Sequence, residues 1–301
     1  MTLGEMYRFV LSEGMRVDPR GEEGLRKVLE GRRDAYGRLE EEERARYDTE
    51  RLTNPYGDLR IVHGREGTEV RGLLVGLDPG PEEVVAAKVL KNSGERVDLL
   101  VSYSPCAFPS KVSLRDLVEL RGEVLCRTGV PPGRARACFP SSEPEDRRAE
   151  DLARLLDVPV LTVGSVADLS AYAFLGEGLK EVGRVWEVLD FLRGIGEVRA
   201  LGDPQLLCGD VEGEVGRVYW GPISAEGFRA LAEAGVGTVI SEGFGREELE
   251  VARRFGTNVV KVPRYSLESL GMNLLLDGVR RKFGEVHIIP CANLVRVERD
   301  V

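Results

Sequence analysis

Two acids, a guanidinium and a pair of serines stand where strands of this chain end, and each residue type suits a different chemistry. Val97–Tyr103 reads as an apolar strand running into Ser104-Pro105. Val158–Val163 reads as another, followed by Gly164, Ser165 and Asp168. Val259–Val262 reads as a third, followed by Pro263-Arg264-Tyr265 and, at the head of a helix, Glu268. In open α/β sheets, ligands collect just beyond the carboxyl ends of strands, so ends such as these are candidate ligand sites. The carboxylates of Asp168 and Glu268 suit a hard cation such as Mg²⁺ or Ca²⁺, held weakly by two ligands alone. Ser104, Ser165, Arg264 and Tyr265 suit a phosphate or carboxylate, because hydroxyls and a guanidinium fork donate to anions. Tyr103 and Ser104 are poor metal ligands near neutral pH because their oxygens keep their protons. Arg264 cannot ligate at all, since it stays charged.

These ends need a scaffold, and the periodicity supplies one. Residues 1 to about 50 read as helical, with Leu3, Met6, Tyr7, Val10 and Leu11 at helical spacing. The turn cluster Asn54-Pro55-Tyr56-Gly57-Asp58 closes this extension. Further strands are expected at Leu73–Leu77, Leu206–Gly209, Arg217–Trp220, Gly237–Ser241 and Val286–Pro290. Helices are expected at Glu82–Leu90, Leu114–Arg127, Glu145–Leu156, Glu181–Leu192, Ala225–Ala234, Glu247–Phe255 and Ser266–Lys282, with Trp186 assigned to the core. Alternation of this kind predicts mostly parallel sheets covered on both faces. The expected fold class is α/β: two similar lobes, 65–180 and 181–301, around a central cleft, behind a helical extension, 1–64. Ser241-Glu242-Gly243-Phe244-Gly245 reads as a strand-to-helix turn, because it lacks both the GxGxxG spacing and the lysine of a phosphate loop.

Composition narrows the classes. The chain of 301 residues is 42% hydrophobic, which fits a packed globular protein. Its net charge of -9 argues against nucleic-acid binding through a broadly basic face. No apolar run is long enough to cross a membrane, and the first residues lack a signal-peptide core. The five cysteines form no CxxC pair, so reduced, mostly buried thiols in a cytoplasmic protein are expected, Cys106 among them. Arginine outnumbers lysine and Gln205 is the single glutamine, a thermophile-like composition.

The segment from Val259 to Asp277 resembles the carboxy-terminal signature of the NIF-three-like family, also catalogued as type 2 GTP cyclohydrolase I. Leu270-Gly271-Met272-Asn273-Leu274-Leu275 and Ile288-Ile289-Pro290-Cys291 carry the likeness, which covers most of residues 54–301. The resemblance implies a dinuclear metal site built largely from histidines, and this chain departs from it. Tyr103-Ser104 stand at a His-His-Pro position with Pro105 kept. Gly164 stands at the histidine of a His-Thr-x-x-Asp element with Asp168 kept. Arg264 stands at the histidine of Gly-His-x-x-x-Glu with Glu268 kept. The chain has two histidines, His63 and His287, neither at ligand spacing from another, and both read as structural or surface residues. The expectation is therefore an inherited scaffold with a degenerate site: no cofactor where relatives bind two divalent metals, and Asp168 and Glu268 left as vestiges. Arg264 either pairs with one of those acids in place of the lost metal or points to solvent, since a motif match does not fix side-chain direction. The reading is a non-catalytic binding or scaffold protein. The alternatives are a metal-dependent hydrolase using Asp168 and Glu268, and an anion- or nucleotide-binding enzyme anchored by Arg264. The family also implies a homo-oligomer, often a ring-like hexamer of dimers.

Overall fold

A computed structural model describes residues 1–139 and 146–299. Among these residues the strands are β1 (Arg60–His63), β2 (Gly72–Gly76), β3 (Leu99–Ser102), β4 (Val160–Thr162), β5 (Gln205–Cys208), β6 (Val218–Trp220), β7 (Thr238–Ser241), β8 (Asn258–Lys261) and β9 (His287–Cys291). They form two sheets, ordered β1-β4-β3-β2-β9 and β5-β8-β7-β6. Strands β2, β3, β4 and β9 run parallel, and β1 closes the edge antiparallel to β4. Strands β6, β7 and β8 likewise run parallel, with β5 antiparallel to β8. The orders β1-β4-β3-β2 and β5-β8-β7-β6 are the same, so the two lobes repeat one topology.

The helices are α1 (Leu3–Val17), α2 (Gly21–Gly37), α3 (Glu41–Arg46), α4 (Pro81–Asn92), α5 (Leu114–Cys126), α6 (Pro132–Ala135), α7 (Arg148–Leu156), α8 (Gly164–Gly178), α9 (Val185–Gly194), α10 (Gly196–Leu201), α11 (Ala225–Glu233), α12 (Arg246–Phe255) and α13 (Ser266–Phe283). Local chemistry explains several of their ends. Thr2 and Glu5 cap α1 reciprocally, the Glu5 amide donating to Thr2 Oγ1 at 3.2 Å and the Thr2 amide to Glu5 Oε2 at 2.7 Å. Ser224 caps α11 through the Gly227 amide, and α12 stops at Gly256, whose φ of 71° suits glycine.

Period-two alternation sorts each strand between two layers. In the first sheet, Leu73, Val75 and Leu99 face a core completed by α1, α8 and α13, while Leu74, Leu100 and Val160 face Val84 and Ala87 of α4 and Ala149 and Ala153 of α7. Each fully buried leucine here contributes roughly 2 kcal/mol. In the second sheet, Ile240 and Val260 face α8, α9 and α13, while Val239 and Val259 face Phe228 of α11 and Ala252 of α12. Helices α8 and α13 thus lie between the sheets, Val166 and Met272 turned to the first core and Leu175 and Leu270 to the second. They cross at backbone distance: a Cβ on Gly271 would stand 2.3 Å from the Ala167 carbonyl oxygen. That close approach gives the glycine of Leu270-Gly271-Met272 its physical reason.

Several elements depart from the expectations. β1 lies within 1–64 and β9 within 181–301, yet both complete the first sheet. Leu3, Met6 and Val10 are buried in the first core, so α1 is part of a lobe and not an appendage to it. Helix α8 was legible only as a strand end followed by Asp168, because its largely apolar sequence carries too few polar residues to set a period. The helix expected from Glu145 begins at Arg148, and Glu145 itself lies outside the described residues. Trp186 is 42% exposed on α9, against its assignment to the core. Cys106 is exposed too, in the loop that leaves β3.

Candidate ligand pocket

The carboxyl ends of β3, β6 and β7 and the amino ends of α8 and α13 converge on a cavity of about 300 Å³ between the lobes. Its walls include five aromatic residues, Tyr103, Phe139, Tyr172, Tyr219 and Trp220, among aliphatic ones such as Leu120, Leu169 and Ile223. Tyr172 and Trp220 lie ring to ring at 4.8 Å. Helix α5 crosses one side, packing Leu120 into the first core and Leu125 into the second lobe, and this straddling brings Arg121 to the cleft.

On the first-lobe side the polar groups satisfy one another. Tyr103, one residue past β3, donates its hydroxyl to Asp168 Oδ1 at 2.6 Å. Arg121 faces Asp168 Oδ2 at 3.5 Å. Both side chains of this ion pair border the cavity, with 36% and 34% of their surface accessible. Burial pushes the Asp168 carboxyl up to about 6, opposed by the charge of Arg121 and the Tyr103 hydrogen bond and reinforced by Glu268 and Asp58. Burial, then the charges of Asp168 and Glu268, hold the Tyr103 phenol well above its ordinary value, so it stays a donor.

On the second-lobe side acid meets acid. Glu242 stands one residue past β7, and Glu268 in the first turn of α13. Burial first, and then the hydrogen bond and like charge of Glu242, raise the Glu268 carboxyl far above the usual range. Both causes favour the protonated form of Glu268 beside Glu242. Among the described residues no side-chain or backbone donor reaches Glu242 Oε1 or Glu268 Oε2, although both oxygens are buried. The loop that sets α13 is strained: Tyr265 holds φ 68°, a left-handed conformation costing a bulky residue about 1–2 kcal/mol.

Of the eight residues expected in the pocket, Tyr103, Ser165, Asp168 and Glu268 line it. The others serve elsewhere. Ser104 forms the turn after β3, its amide donating to the Leu77 carbonyl at 2.7 Å and its own carbonyl accepting from Ser102 Oγ at 2.6 Å. Gly164 is packed backbone to backbone: a Cβ there would lie 2.4 Å from the Tyr103 carbonyl oxygen and 2.8 Å from Asp58 Oδ2. No side chain fits, so Gly164 does not mark a vacated ligand position in this backbone. Arg264 is exposed, with its guanidinium 4.7 Å over the Tyr265 ring, and makes no ion pair with Asp168 or Glu268 among the described residues. Arg121 takes the role expected of Arg264. Tyr265 is half-buried against the first core. The expected anion cradle of Ser104, Ser165, Arg264 and Tyr265 therefore does not converge, since only Ser165 reaches the cavity.

Sequence reasoning missed Arg121, Glu242 and the aromatic wall. Glu242 carried a usable signal, an acid directly after a buried apolar strand. Arg121 carried none, being one charged residue among several on an amphipathic helix. The histidines stay outside the cavity: His63 Nε2 lies 2.9 Å from Asp157 Oδ1, and His287 lies 4.0 Å from Glu95.

The donor set does not fit two transition metals. Among the described residues no group of three or more His, Cys, Asp or Glu side chains is arranged to hold a metal ion. Asp168 is already engaged by Tyr103 and Arg121, and a guanidinium beside a cation would repel it.

The architecture itself has close parallels. The structure superposes on that of a NIF3 superfamily protein from Sphaerobacter thermophilus with a TM-score of 0.62 and 19% identity, covering 79% of this chain and 92% of that one. The chain has the NIF-three-like fold. Reduced HcgD from Methanocaldococcus jannaschii superposes with a TM-score of 0.50 and 14% identity, over 78% and 89% of the two chains. No protein-family model and no curated protein matches the sequence. The NIF-three-like likeness thus rests on the fold. No helix of the described residues is long and apolar enough to cross a membrane.

Proposed function

We propose that this chain uses the NIF-three-like fold as a ligand-binding protein that works without a dinuclear metal centre. The observation that carries this reading is the Tyr103–Asp168–Arg121 chain, in which the protein's own hydroxyl and guanidinium occupy the acid that a metal would need. Support also comes from the cavity itself, whose aromatic walls and few polar groups have the character of small-molecule sites. The hydrolase alternative through Asp168 and Glu268 lacks nitrogen ligands to complete a metal's coordination. The anion alternative lacks its anchor, because Arg264 faces solvent.

Elemental mass spectrometry on protein purified without chelator or affinity tag tests the reading. Less than about a tenth of a transition metal per chain, unchanged after dialysis against Zn²⁺ or Mn²⁺ and desalting, is the expected result. Two metals per chain would sink it. Assembly into a homo-oligomer belongs to the same proposal and is read by light scattering, where a monomer would remove it.

A further inference from the structure

Few polar side chains open onto the cavity, and two of them stand side by side. Arg121 and Asp168 keep 36% and 34% of their side-chain surface accessible at its wall. Their charges compensate each other, yet much of their hydrogen-bonding capacity is unspent. The 3.5 Å from Arg121 Nη2 to Asp168 Oδ2 is longer than an N–H···O bond of roughly 2.7–3.2 Å. Among the described residues the guanidinium makes no hydrogen bond, and the Asp168 carboxyl accepts one, from Tyr103 at Oδ1. A guanidinium only donates and a carboxylate only accepts. The wall therefore presents an unused donor beside an unused acceptor.

The donor is an addition to the lobe repeat. The connection from β3 to α7 carries α5 and α6, whereas its counterpart from β7 to α12 spans only residues 242–245. Along with Arg121, α5 brings Leu120 and Val124 to the wall, and Leu169 and Ile223 extend the apolar surface. A volume of about 300 Å³ lies at the small end of ligand pockets. Charge then decides among ligands. Arg121 is the single cationic side chain lining the cavity among the described residues, against Asp168, Glu242 and Glu268, so a carboxylate meets more negative charge than positive. An ammonium that reached Asp168 would stand against the guanidinium 3.5 Å away from that acid. A neutral group that accepts from Arg121 and donates to Asp168 avoids both repulsions. A primary amide or a lactam is such a group, with its carbonyl oxygen and an N–H on one edge.

Resting on the metal-free, ligand-binding reading above, we propose that this cavity binds a small neutral amide with an apolar body. The amide oxygen accepts from Arg121, the amide N–H donates to Asp168 Oδ2, and the hydrocarbon part lies against the apolar wall. The Tyr103 hydroxyl holds Asp168 in place through Oδ1 and leaves Oδ2 to the ligand.

Four probes of similar shape test this by calorimetry on the full-length protein at about pH 7.5, where Asp168, titrating at about 6, is ionised. They are cyclohexanecarboxamide, cyclohexyl methyl ketone, cyclohexanecarboxylate and cyclohexylmethylamine. The carboxamide is expected to bind about tenfold more tightly than each of the others, the worth of one well-made hydrogen bond. Asp168→Asn, which leaves Arg121 uncompensated, is expected to reverse the order of carboxamide and carboxylate. Arg121→Met is expected to weaken carboxamide and ketone alike, and Arg264→Ala to change nothing. If Arg121→Met does not fold, the isosteric Asp168→Asn and the four probes on the unaltered protein decide. No heat from millimolar carboxamide, tighter binding of the carboxylate or the amine, or an order unmoved by Asp168→Asn overturns the proposal. Two bound transition metals would defeat the metal-free reading itself. Metal-free protein that binds the ketone as tightly as the carboxamide keeps that reading and defeats only the amide assignment.

Discussion

The two lobes repeat one strand order and place opposite chemistry at matching ends. One residue past β3 stands Tyr103, and the helix after β4 carries Asp168. One residue past β7 stands Glu242, and the helix after β8 carries Glu268. In the first lobe the acid meets a hydroxyl donor and a guanidinium. In the second it meets another acid, and one oxygen of each carboxyl has no partner among the described residues. A satisfied polar group stabilises the fold, and an unsatisfied one costs stability. The comparison therefore assigns compensated charge to the first half of the pocket and an uncompensated acid pair to the second.

Substitutions can break that assignment, and the largest effect belongs to the first lobe. Gly164→His forces a Cβ against the Tyr103 carbonyl oxygen and Asp58, and is expected to cost about 3 kcal/mol or more, or to prevent folding. Arg264→His, the matching change in the second lobe, alters an exposed side chain and is expected to stay within about 0.5 kcal/mol. Urea denaturation reads both, and a stable Gly164→His variant that gains metal would reverse our view of the site. Next, Arg121→Met leaves Asp168 without its cation. Water in the cavity screens the pair, so the expected loss is about 1–2 kcal/mol and not the full cost of a dry buried charge. A neutral result would return Asp168 to the list of free acids.

Two pH profiles sharpen the contrast further. Asp168 faces Tyr103, Arg121, Glu268 and Asp58, and its carboxyl titrates at about 6 when folded against 3.8 ordinarily. Between those values the native state holds more protons than the unfolded one, so stability falls as pH rises through the window. Asp168→Asn is expected to remove that slope in thermal melts from pH 4 to 6. A slope that persists would place the titration elsewhere. Glu268 is raised further, so its contribution is lost on the alkaline side, as a property of the Glu242–Glu268 pair. Glu268→Gln keeps a neutral donor beside Glu242 at every pH and is expected to flatten the alkaline decline. An unchanged decline would mean that the two acids do not share a proton.

How far the sequence reached depended on whether a residue's role was local. Strands such as Leu99–Ser102 and Asn258–Lys261 announced themselves by apolar runs between turn residues, and the site lay beyond them as the strand-end rule requires. Asp168 and Glu268 were found because they are the kept acids of motifs that resemble the family's and lie just beyond strand ends. Arg121 was not, since it reaches the cleft only because α5 spans two cores. Arg264 shows the complementary limit: position along the chain left its side-chain direction open, and a left-handed Tyr265 turns the loop so that the Arg264 guanidinium stacks on its neighbour. Gly164 looked like a lost ligand and is a packing contact, a distinction that only the distance to the Tyr103 carbonyl could make.

Strand β9 bears on how the chain is made. It follows the whole second lobe, yet it pairs along β2, Gly72 opposite His287 and Gly76 opposite Cys291. During synthesis the first sheet must therefore wait with β2 as an open edge while the second lobe emerges from the ribosome. Such an edge, with Leu73, Leu74 and Val75 in a row, invites pairing with another nascent chain. Once β9 docks, the lobes are tied by backbone as well as by packing, so neither can unravel without pulling a strand from the other.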